Sequence, residues 1–379
     1  MPQTAASGRP LTKEDFIVGW ICALDVELRA ALAVLDEVLP EPPFHRLRGD
    51  KNVYKYGRIK NHYVVIACLP AGRPGAESAS VVATYLKLTF PNVIERGFGL
   101  LVGVGGGAPN LQRGHDIRLG DIVVSRPNNS RSAVVQYDFG KAMQGGGFLE
   151  QGNSRLQPPP RILLSTIEKI QSGNPAPFRN NLRDNAHHLG ERDHIFQYPQ
   201  SPDQLFEATC LHNASSQIGT CARCDLTKRV LRPQRRPDHL EIHYGTIASG
   251  NQVMKDGVKR DLISAQTGAL CFEMEAPGLL LMDAFPCLVI RGISNYADGH
   301  KNDNWQAYAA LLKPLLVPQT NLHQVVRLAL WSLLGKNFEV HIFEKDTILS
   351  SSLSLNGSSL PPQEEYNIRV SDKMEETCR

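Results

Sequence analysis

Polar residues suited to acid–base chemistry and to hydroxyl binding follow three apolar, strand-like segments of the chain. They form the groups 25–27 (Asp-Val-Glu), 273–275 (Glu-Met-Glu) and 294–298 (Ser-Asn-Tyr-Ala-Asp). Open α/β sheets bind ligands at the carboxyl ends of their strands, so we expect the three groups to converge on one site. Glu275 is the stronger candidate of the second group, because an unpaired carboxylate beside an apolar strand is costly, and Glu273 is expected to face solvent.

The segments that must position these groups alternate between strand and helix patterns. Strands are predicted at 16–24, 62–69, 97–109, 121–125, 242–254 (a strand and loop) and 286–298. Helices are predicted at 25–39, 76–90, 161–173, 256–266 and 322–336, and the segment 270–285 passes from a strand into a helix. This alternation is typical of a layered α/β sheet.

Composition narrows the function classes. The 379 residues are 42% hydrophobic, and Lys+Arg (41) nearly balance Asp+Glu (38), which disfavours nucleic-acid binding through a basic face. The longest apolar run, 279–290, is interrupted by Asp283 and Pro286, so no membrane span is predicted. The amino terminus lacks the apolar core of a secretory signal, which favours a cytoplasmic location and leaves the nucleus open.

The alternation weakens between residues 140 and 240 and stops after residue 315. We therefore expect a flexible leader at 1–14, an α/β domain at 15–315 with an insertion near 140–240, and a tail at 316–379 that is helical first and then flexible.

The insertion contains a group of residues with the spacing of zinc ligands. Cys210 and His212 are separated by one residue, and Cys221 and Cys224 form a C-x-x-C pair eight residues later. A structural zinc ion would stabilise a segment that has little apolar core of its own. Cys210 could instead be a buried or free thiol.

Five segments in the same order resemble the purine and uridine phosphorylase family over residues 15–312: FIVGWICALDVEL, GVGGG with DIRLGDIVVS, IASGNQV, CFEMEA and VIRGISNYAD. The resemblance is strongest to the branch that hydrolyses methylthioadenosine and S-adenosylhomocysteine. The following GHKNDNWQAYAA resembles fungal versions found at the front of multidomain receptor-like proteins. No such downstream domains are visible here, so we expect a stand-alone or truncated protein.

The resemblance implies a three-layer αβα nucleoside phosphorylase-like domain with a central mixed sheet. It also implies cleavage of the N-glycosidic bond of a purine nucleoside, no cofactor for catalysis, and a homo-oligomer whose subunits complete one another's sites. The site residues that it implies are Glu27 as activator of water, Glu275 on the ribose hydroxyls, Met274 beside the sugar, the main chain of Val253 and Met254 on the purine edge, and Ser294 and Arg291 in support of the catalytic loop.

Asn295 departs from the nucleosidase pattern, which has an aspartic acid at this position to serve N7 of adenine. An amide can donate a hydrogen bond but cannot release a proton. An asparagine at this position resembles the pattern of phosphorylases of 6-oxopurine nucleosides. Alternatively, the site cleaves its nucleoside slowly and serves as a nucleoside sensor or interaction module. Phosphorolysis would use phosphate as co-substrate on an anion loop formed by Gly72, Arg73, Gly105 and Gly106; otherwise Arg73 is a solvated arginine on a turn.

Overall fold

A computed structural model describes residues 9–128, 131–144, 148–150, 156–173, 175–213, 221–235, 239–281, 285–319, 341–343 and 367–369. The chain divides into two compact units, Met1–Val325 and Val326–Arg379. None of the described helices is long and apolar enough to cross a membrane.

The first unit alternates strands and helices. Its strands are β1 (Phe16–Cys22), β2 (Glu37–Leu39), β3 (Tyr54–Ile59), β4 (His62–Cys68), β5 (Phe98–Gly107), β6 (Ile122–Ser125), β7 (Val134–Gln136), β8 (Gly140–Ala142), β9 (Phe148–Glu150), β10 (Ile242–Ser249), β11 (Ala269–Glu273) and β12 (Cys287–Asn295). Its helices are α1 (Asp25–Ala33), α2 (Ala76–Thr89), α3 (Asn92–Glu95), α4 (Arg161–Ser172), α5 (Pro175–Arg192), α6 (Gly257–Thr267), α7 (Ala276–Leu280) and α8 (Gln306–Gln319).

One mixed sheet organises this unit. In the described part of the chain it has ten strands in the order β11-β10-β6-β12-β5-β1-β4-β3-β2, with β7 also paired to β10. The central strands β4, β1, β5 and β12 run parallel, whereas β6 is antiparallel to β12 and the β2–β3–β4 edge is antiparallel throughout. Parallel pairing brings the carboxyl ends of β1, β5 and β12 to the same edge of the sheet.

Strand β11 curls the sheet at that edge. It pairs in parallel with β10 and also in antiparallel fashion with the end of β5, through Cys271 opposite Gly107 and Phe272 opposite Gly106. The carboxyl end of β11, at Glu273, is thereby placed beside the ends of β5 and β12.

Helices cover both faces of the sheet. On one face, α1, α4, α5 and α8 contribute buried residues such as Ala30, Leu163, Leu182 and Leu311 to a shared core. On the other face, α2, α3 and α7 contribute buried residues to a second core, among them Leu86 of α2. The mixed sheet between two helical layers confirms the predicted three-layer α/β class.

Two helix predictions differ from the structure. Helix α1 ends at Ala33 rather than at residue 39, because residues 37–39 pair with β3 as strand β2 and the amide of Asp36 donates to the carbonyl of Arg58 at 2.9 Å. Helix α5, which the sequence did not predict, buries Leu182 and Ala186 within the segment expected to be an insertion. The helix predicted at 322–336 lies outside the described residues.

The segment expected to be a flexible leader is described from Arg9 onward. Arg9 forms an ion pair with Asp15, and Leu11 is buried. In the second unit the described residues form two short antiparallel strands, β13 (His341–Phe343) and β14 (Asn367–Arg369).

Candidate active site

Arg291 and two glutamates form a buried ionic cluster at the carboxyl edge of the sheet. Arg291 lies within β12 and is 1% exposed, and its Nη2 pairs with the carboxylate of Glu273 and, at 3.2 Å, with Oε2 of Glu275. Its Nη1 donates to the carbonyl of Val104 on β5 at 3.4 Å. The guanidinium crosses Gly103, where a β-carbon would overlap it, so the absence of a side chain at Gly103 permits this arrangement.

Glu27 reaches the same cluster from the first turn of α1. It is 3% exposed, and its charge acts on both Arg291 and Glu275. Three main-chain amides donate to its carboxylate: Ala23 at 2.8 Å, Leu24 at 3.1 Å and Val104 at 2.5 Å. These donors from β5 and from the turn after β1 fix the position of the carboxylate.

Glu275 faces the start of helix α2. Its Oε1 accepts from the amide of Gly75 at 3.3 Å, and its Oε2 accepts from the amide of Met274 at 3.4 Å. Gly75 has a φ of +108°, a conformation that favours glycine. Burial raises the pKa of Glu275 to about 7; Arg291 opposes this rise, but its charge is shared with Glu273, whose own charge raises the pKa further.

Glu273 is buried, so the expectation that it faces solvent is wrong. Its side chain is fully enclosed, and its carboxylate accepts from the amides of Glu275 at 3.1 Å and Ala276 at 3.1 Å, in addition to the ion pair with Arg291. Glu273 therefore holds Arg291 and the turn that carries Glu275. The sequence signal for this role is the presence of two glutamates, Glu273 and Glu275, directly after one strand. Only the fold brings Arg291 beside both of them.

Asn295 is held by its own neighbours at the end of β12. The amide N–H of Ala297 donates to Oδ1 at 3.0 Å, which assigns Nδ2 to the opposite side, where it donates to Oγ of Ser294 at 3.0 Å. Ser294 in turn donates to the carbonyl of Gly105 at 3.5 Å. Asn295 lies opposite Gly106 on β5, so this chain of hydrogen bonds anchors the end of β12 to β5.

Asp298 is engaged by structural partners. Its Oδ2 pairs with the buried Arg260 at 3.4 Å, and its Oδ1 accepts from the amide of His300 at 2.9 Å. Arg260 also donates to the carbonyl of Tyr296 at 2.8 Å. The one carboxylate of the 294–298 group is therefore used to shape the loop after β12.

The residues predicted at the purine edge occupy the loop between β10 and α6. Val253 is 51% exposed, whereas Met254 is buried in a small apolar cluster that includes Tyr137 and Phe272. The rings of Tyr137 and Phe272 meet edge to face with centroids 5.6 Å apart. Met274 is half-buried between the two glutamates of its group.

The four residues of the predicted anion loop do not form one loop. Gly72 and Arg73 are exposed on a turn, in which the amide of Arg73 donates to the carbonyl of Pro70 at 3.1 Å. Gly105 and Gly106 lie inside β5 and pair with β12, so their assignment to a loop is wrong. In the described part of the chain, no hydrogen bond or ion pair joins Arg73 to the Arg291 cluster.

A cavity of about 320 Å³ opens beside the end of β12. Ser294, Asn295 and Asp298 line it, but Glu27, Glu275 and Arg291 do not. Other lining residues come from the predicted insertion and include Cys221 and Ala222. The structure thus brings Glu27, Arg291 and Glu275 together and places Asn295 at the wall of an adjoining cavity.

Three of the four predicted zinc ligands lie together in the structure, and a different residue takes the place of the fourth. His212, Cys221 and Cys224 lie close to one another, and the fourth member of the group is His300, not Cys210. Cys210 contributes its carbonyl, which lies 3.1 Å from Nε2 of His300. Local spacing could not have identified His300, because it follows β12 and is far from the cysteines in sequence.

No protein-family model matches the chain. A nucleotide-binding leucine-rich repeat (NLR)-like protein of Hyaloscypha variabilis is 40% identical over 310 residues, which are 81% of this chain and 29% of that protein. The chain therefore spans less than a third of the length of this curated relative.

Several solved nucleosidase structures are similar in fold. A mutant methylthioadenosine/S-adenosylhomocysteine nucleosidase of Helicobacter pylori with 5′-methylthioadenosine in its active site is 17% identical and covers 82% of this chain and 97% of its own, with a TM-score of 0.44. The futalosine hydrolase of Helicobacter pylori is 16% identical over 82% of this chain and 100% of its own (TM-score 0.45). The Neisseria meningitidis nucleosidase in complex with methylthio-immucillin-A is 14% identical over 80% and 97% (TM-score 0.47).

Fold and site together define the class of this protein. It has a three-layer α/β architecture with a mixed central sheet and a buried arginine–carboxylate cluster at the carboxyl ends of its parallel strands.

Proposed function

We propose that the chain hydrolyses the N-glycosidic bond of a purine nucleoside without a cofactor. The observation that carries this proposal is the convergence of Glu27 and Glu275 on the buried Arg291, from three separate elements of the fold. Cleavage of such a bond passes through an oxocarbenium-like sugar, so it needs an activated nucleophile, a hold on the ribose and stabilisation of the leaving base.

Glu27 is the proposed base for water. A general base must be fixed within hydrogen-bond reach of the proton that it takes. The amides of Ala23, Leu24 and Val104 hold the Glu27 carboxylate from two directions, which limits its movement during the reaction.

Glu275 is the proposed ribose ligand. A carboxylate can accept hydrogen bonds from two neighbouring hydroxyls at once. Arg291 and the amide of Gly75 orient its two oxygens, and Met274 beside it supplies an apolar surface for the sugar. Glu273 supports this arrangement by neutralising part of the charge of Arg291.

Asn295 is the proposed contact to the leaving base. Oδ1 accepts from the amide of Ala297 and one hydrogen of Nδ2 is donated to Ser294, so the group that Asn295 can present to a base nitrogen is the second hydrogen of Nδ2. The main chain of Val253 and Met254 would complete the purine edge, as the family resemblance implies. Donation by an amide stabilises a departing base less than protonation does.

The test is a panel of purine nucleosides with and without phosphate, measured by release of free base. We expect release without phosphate, and loss of release in the Glu27→Gln and Glu275→Gln variants. Asp25→Asn is the matched control, because Asp25 lies in the same first turn of α1 but is exposed. A strict requirement for phosphate would contradict hydrolysis and favour phosphorolysis at Arg73.

A second candidate is a nucleoside sensor with little turnover. It is favoured by Asn295, which cannot release a proton, and by the similarity to an NLR-like protein. In this case nucleoside binding would be measurable by calorimetry while no base is released, and Glu275→Gln would weaken binding. The oligomeric state and the cytoplasmic location remain predictions, to be tested by sedimentation and by localisation of the tagged protein.

A further inference from the structure

Four side chains from two distant segments meet at one point outside the Arg291 cluster. His212, Cys221 and Cys224 come from the segment between α5 and β10, and His300 comes from the loop after β12. One nitrogen or sulfur atom of each lies within 4.8 Å of those of the others. Cys224 and His300 are buried, and the other two are half-buried.

The distances within this Cys₂His₂ group match a tetrahedral metal site. The sulfur of Cys221 lies 4.0 Å from Nδ1 of His212 and 3.6 Å from Nδ1 of His300. The sulfur of Cys224 lies 3.3 Å and 3.6 Å from the same two nitrogens. Zinc–sulfur bonds of about 2.3 Å and zinc–nitrogen bonds of about 2.0 Å at a tetrahedral angle would separate sulfur from nitrogen by about 3.5 Å.

The orientation of His300 is fixed for ligation. Its Nε2 lies 3.1 Å from the carbonyl of Cys210, and only a protonated nitrogen can donate to a carbonyl. The proton is therefore on Nε2, and the lone pair of Nδ1 points toward Cys221 and Cys224. A histidine that binds a metal typically donates its second nitrogen to such a carbonyl. Phe206 stacks on the imidazole with a centroid distance of 4.1 Å.

We propose that His212, Cys221, Cys224 and His300 bind one Zn²⁺ ion in a closed structural site. Two thiolates and two imidazoles are a ligand set that zinc prefers, and four protein ligands leave no open position for catalysis. The ion joins the segment between α5 and β10 to the loop after β12, which are otherwise far apart in the chain.

This zinc site sets one boundary of the cavity beside Asn295. Cys221 and Ala222 line the cavity from the inserted segment, and His300 lines it from the loop that also carries Asp298. The metal therefore holds the two walls of the cavity at a fixed separation. Its role is positional and does not depend on whether the protein cleaves a nucleoside.

The test is the metal content of the full chain, purified with zinc supplied and then dialysed. We expect about one zinc ion per chain, as for a closed four-ligand site. Cys224→Ser and His300→Ala are expected to lose the metal. Cys210→Ser is the matched control and is expected to keep it, since Cys210 acts through its main-chain carbonyl. Absence of metal from the unaltered chain, or equal loss in Cys210→Ser, would overturn the proposal.

Two further measurements use the unaltered chain, so they do not depend on whether a variant folds. Replacement of zinc by Co²⁺ is expected to give the thiolate charge-transfer and visible bands of a tetrahedral S₂N₂ site. Chelation is expected to lower the unfolding temperature, because a metal that binds only the folded state stabilises it. Two results would show that the residues do not form this site. One is a disulfide between Cys221 and Cys224 in protein purified under reducing conditions, and the other is a Co²⁺ spectrum without thiolate bands.

Discussion

Arg291 and Glu275 form an ion pair of 3.2 Å between side chains that are 1% and 6% exposed. Glu273 pairs with the same guanidinium. Burial lowers the pKa of Arg291, but the charges of Glu273, Glu275 and the nearby Glu27 together raise it. One cation thus compensates several buried carboxylates. Since a buried charge without a partner is costly, the stability of the candidate active site depends on this arginine.

Replacement of Arg291 by methionine should strongly destabilise the fold. The change leaves the carboxylates of Glu273 and Glu275 buried without their cation, and such a loss typically costs about 3–5 kcal/mol. Urea unfolding at neutral pH measures it. Arg29→Met is the control, because the Arg29–Asp193 pair is exposed and should contribute about 1 kcal/mol or less. Equal unfolding midpoints for the two variants would contradict the buried cluster.

The free energy of unfolding should contain a pH-dependent contribution from Glu275. Its pKa is raised to about 7 in the folded protein, against about 4.3 for an unfolded glutamate. Between these values the folded state binds more protons than the unfolded state, so this contribution lowers stability as pH rises from about 4.5 to about 7.

The measurement compares urea unfolding of the unaltered chain and of Glu275→Gln at several pH values across this window. The variant cannot titrate at this position, so the stability of the unaltered chain relative to the variant should fall as pH rises. A difference that stays constant with pH would show that Glu275 keeps an ordinary pKa.

Asn295→Asp should increase release of base from a purine nucleoside. An aspartate keeps the acceptor for the amide of Ala297 and, when protonated, adds a group that can give a proton to the departing base. General acid catalysis typically contributes about 10²–10⁴-fold. Initial rates of base release measure the change. Asn302→Asp adds the same charge to the wall of the same cavity, and an equal effect in that control would remove Asn295 from the base site.

Arg73→Ala should leave hydrolysis and stability unchanged. Arg73 is exposed on a turn, and an exposed substitution of this kind usually changes stability by less than about 0.5 kcal/mol. Rates of base release with and without phosphate provide the measurement. Loss of a phosphate-dependent rate in Arg73→Ala would identify a phosphorylase instead.

Local patterns predicted most of the elements that carry the site. The alternation of apolar residues placed β1, β4, β5, β6, β10 and β12 close to their observed positions, and the helix predicted at 76–90 is observed as α2. The side chains that follow β1, β11 and β12 were recognisable as candidates for a site, because polar groups follow long apolar runs there. The strands β2, β3, β7, β8 and β9 and the helices α3 and α5 were missed, since such patterns are ambiguous without the neighbours against which they pack.

By itself the sequence determined the α/β class and the polar groups 25–27, 273–275 and 294–298, because strand and helix periodicity and the polar groups at strand ends are local properties. The choice of Glu27, Glu275 and Asn295 within these groups is what the family resemblance implies. Only the tertiary structure decided that Glu273 is buried against Arg291 and that His300, not Cys210, completes the Cys₂His₂ group. Ion pairs and metal ligands are chosen by distance in space. That distance depends on how β11 curls across β5 and on where the loop after β12 meets the inserted segment, which no spacing along the chain encodes.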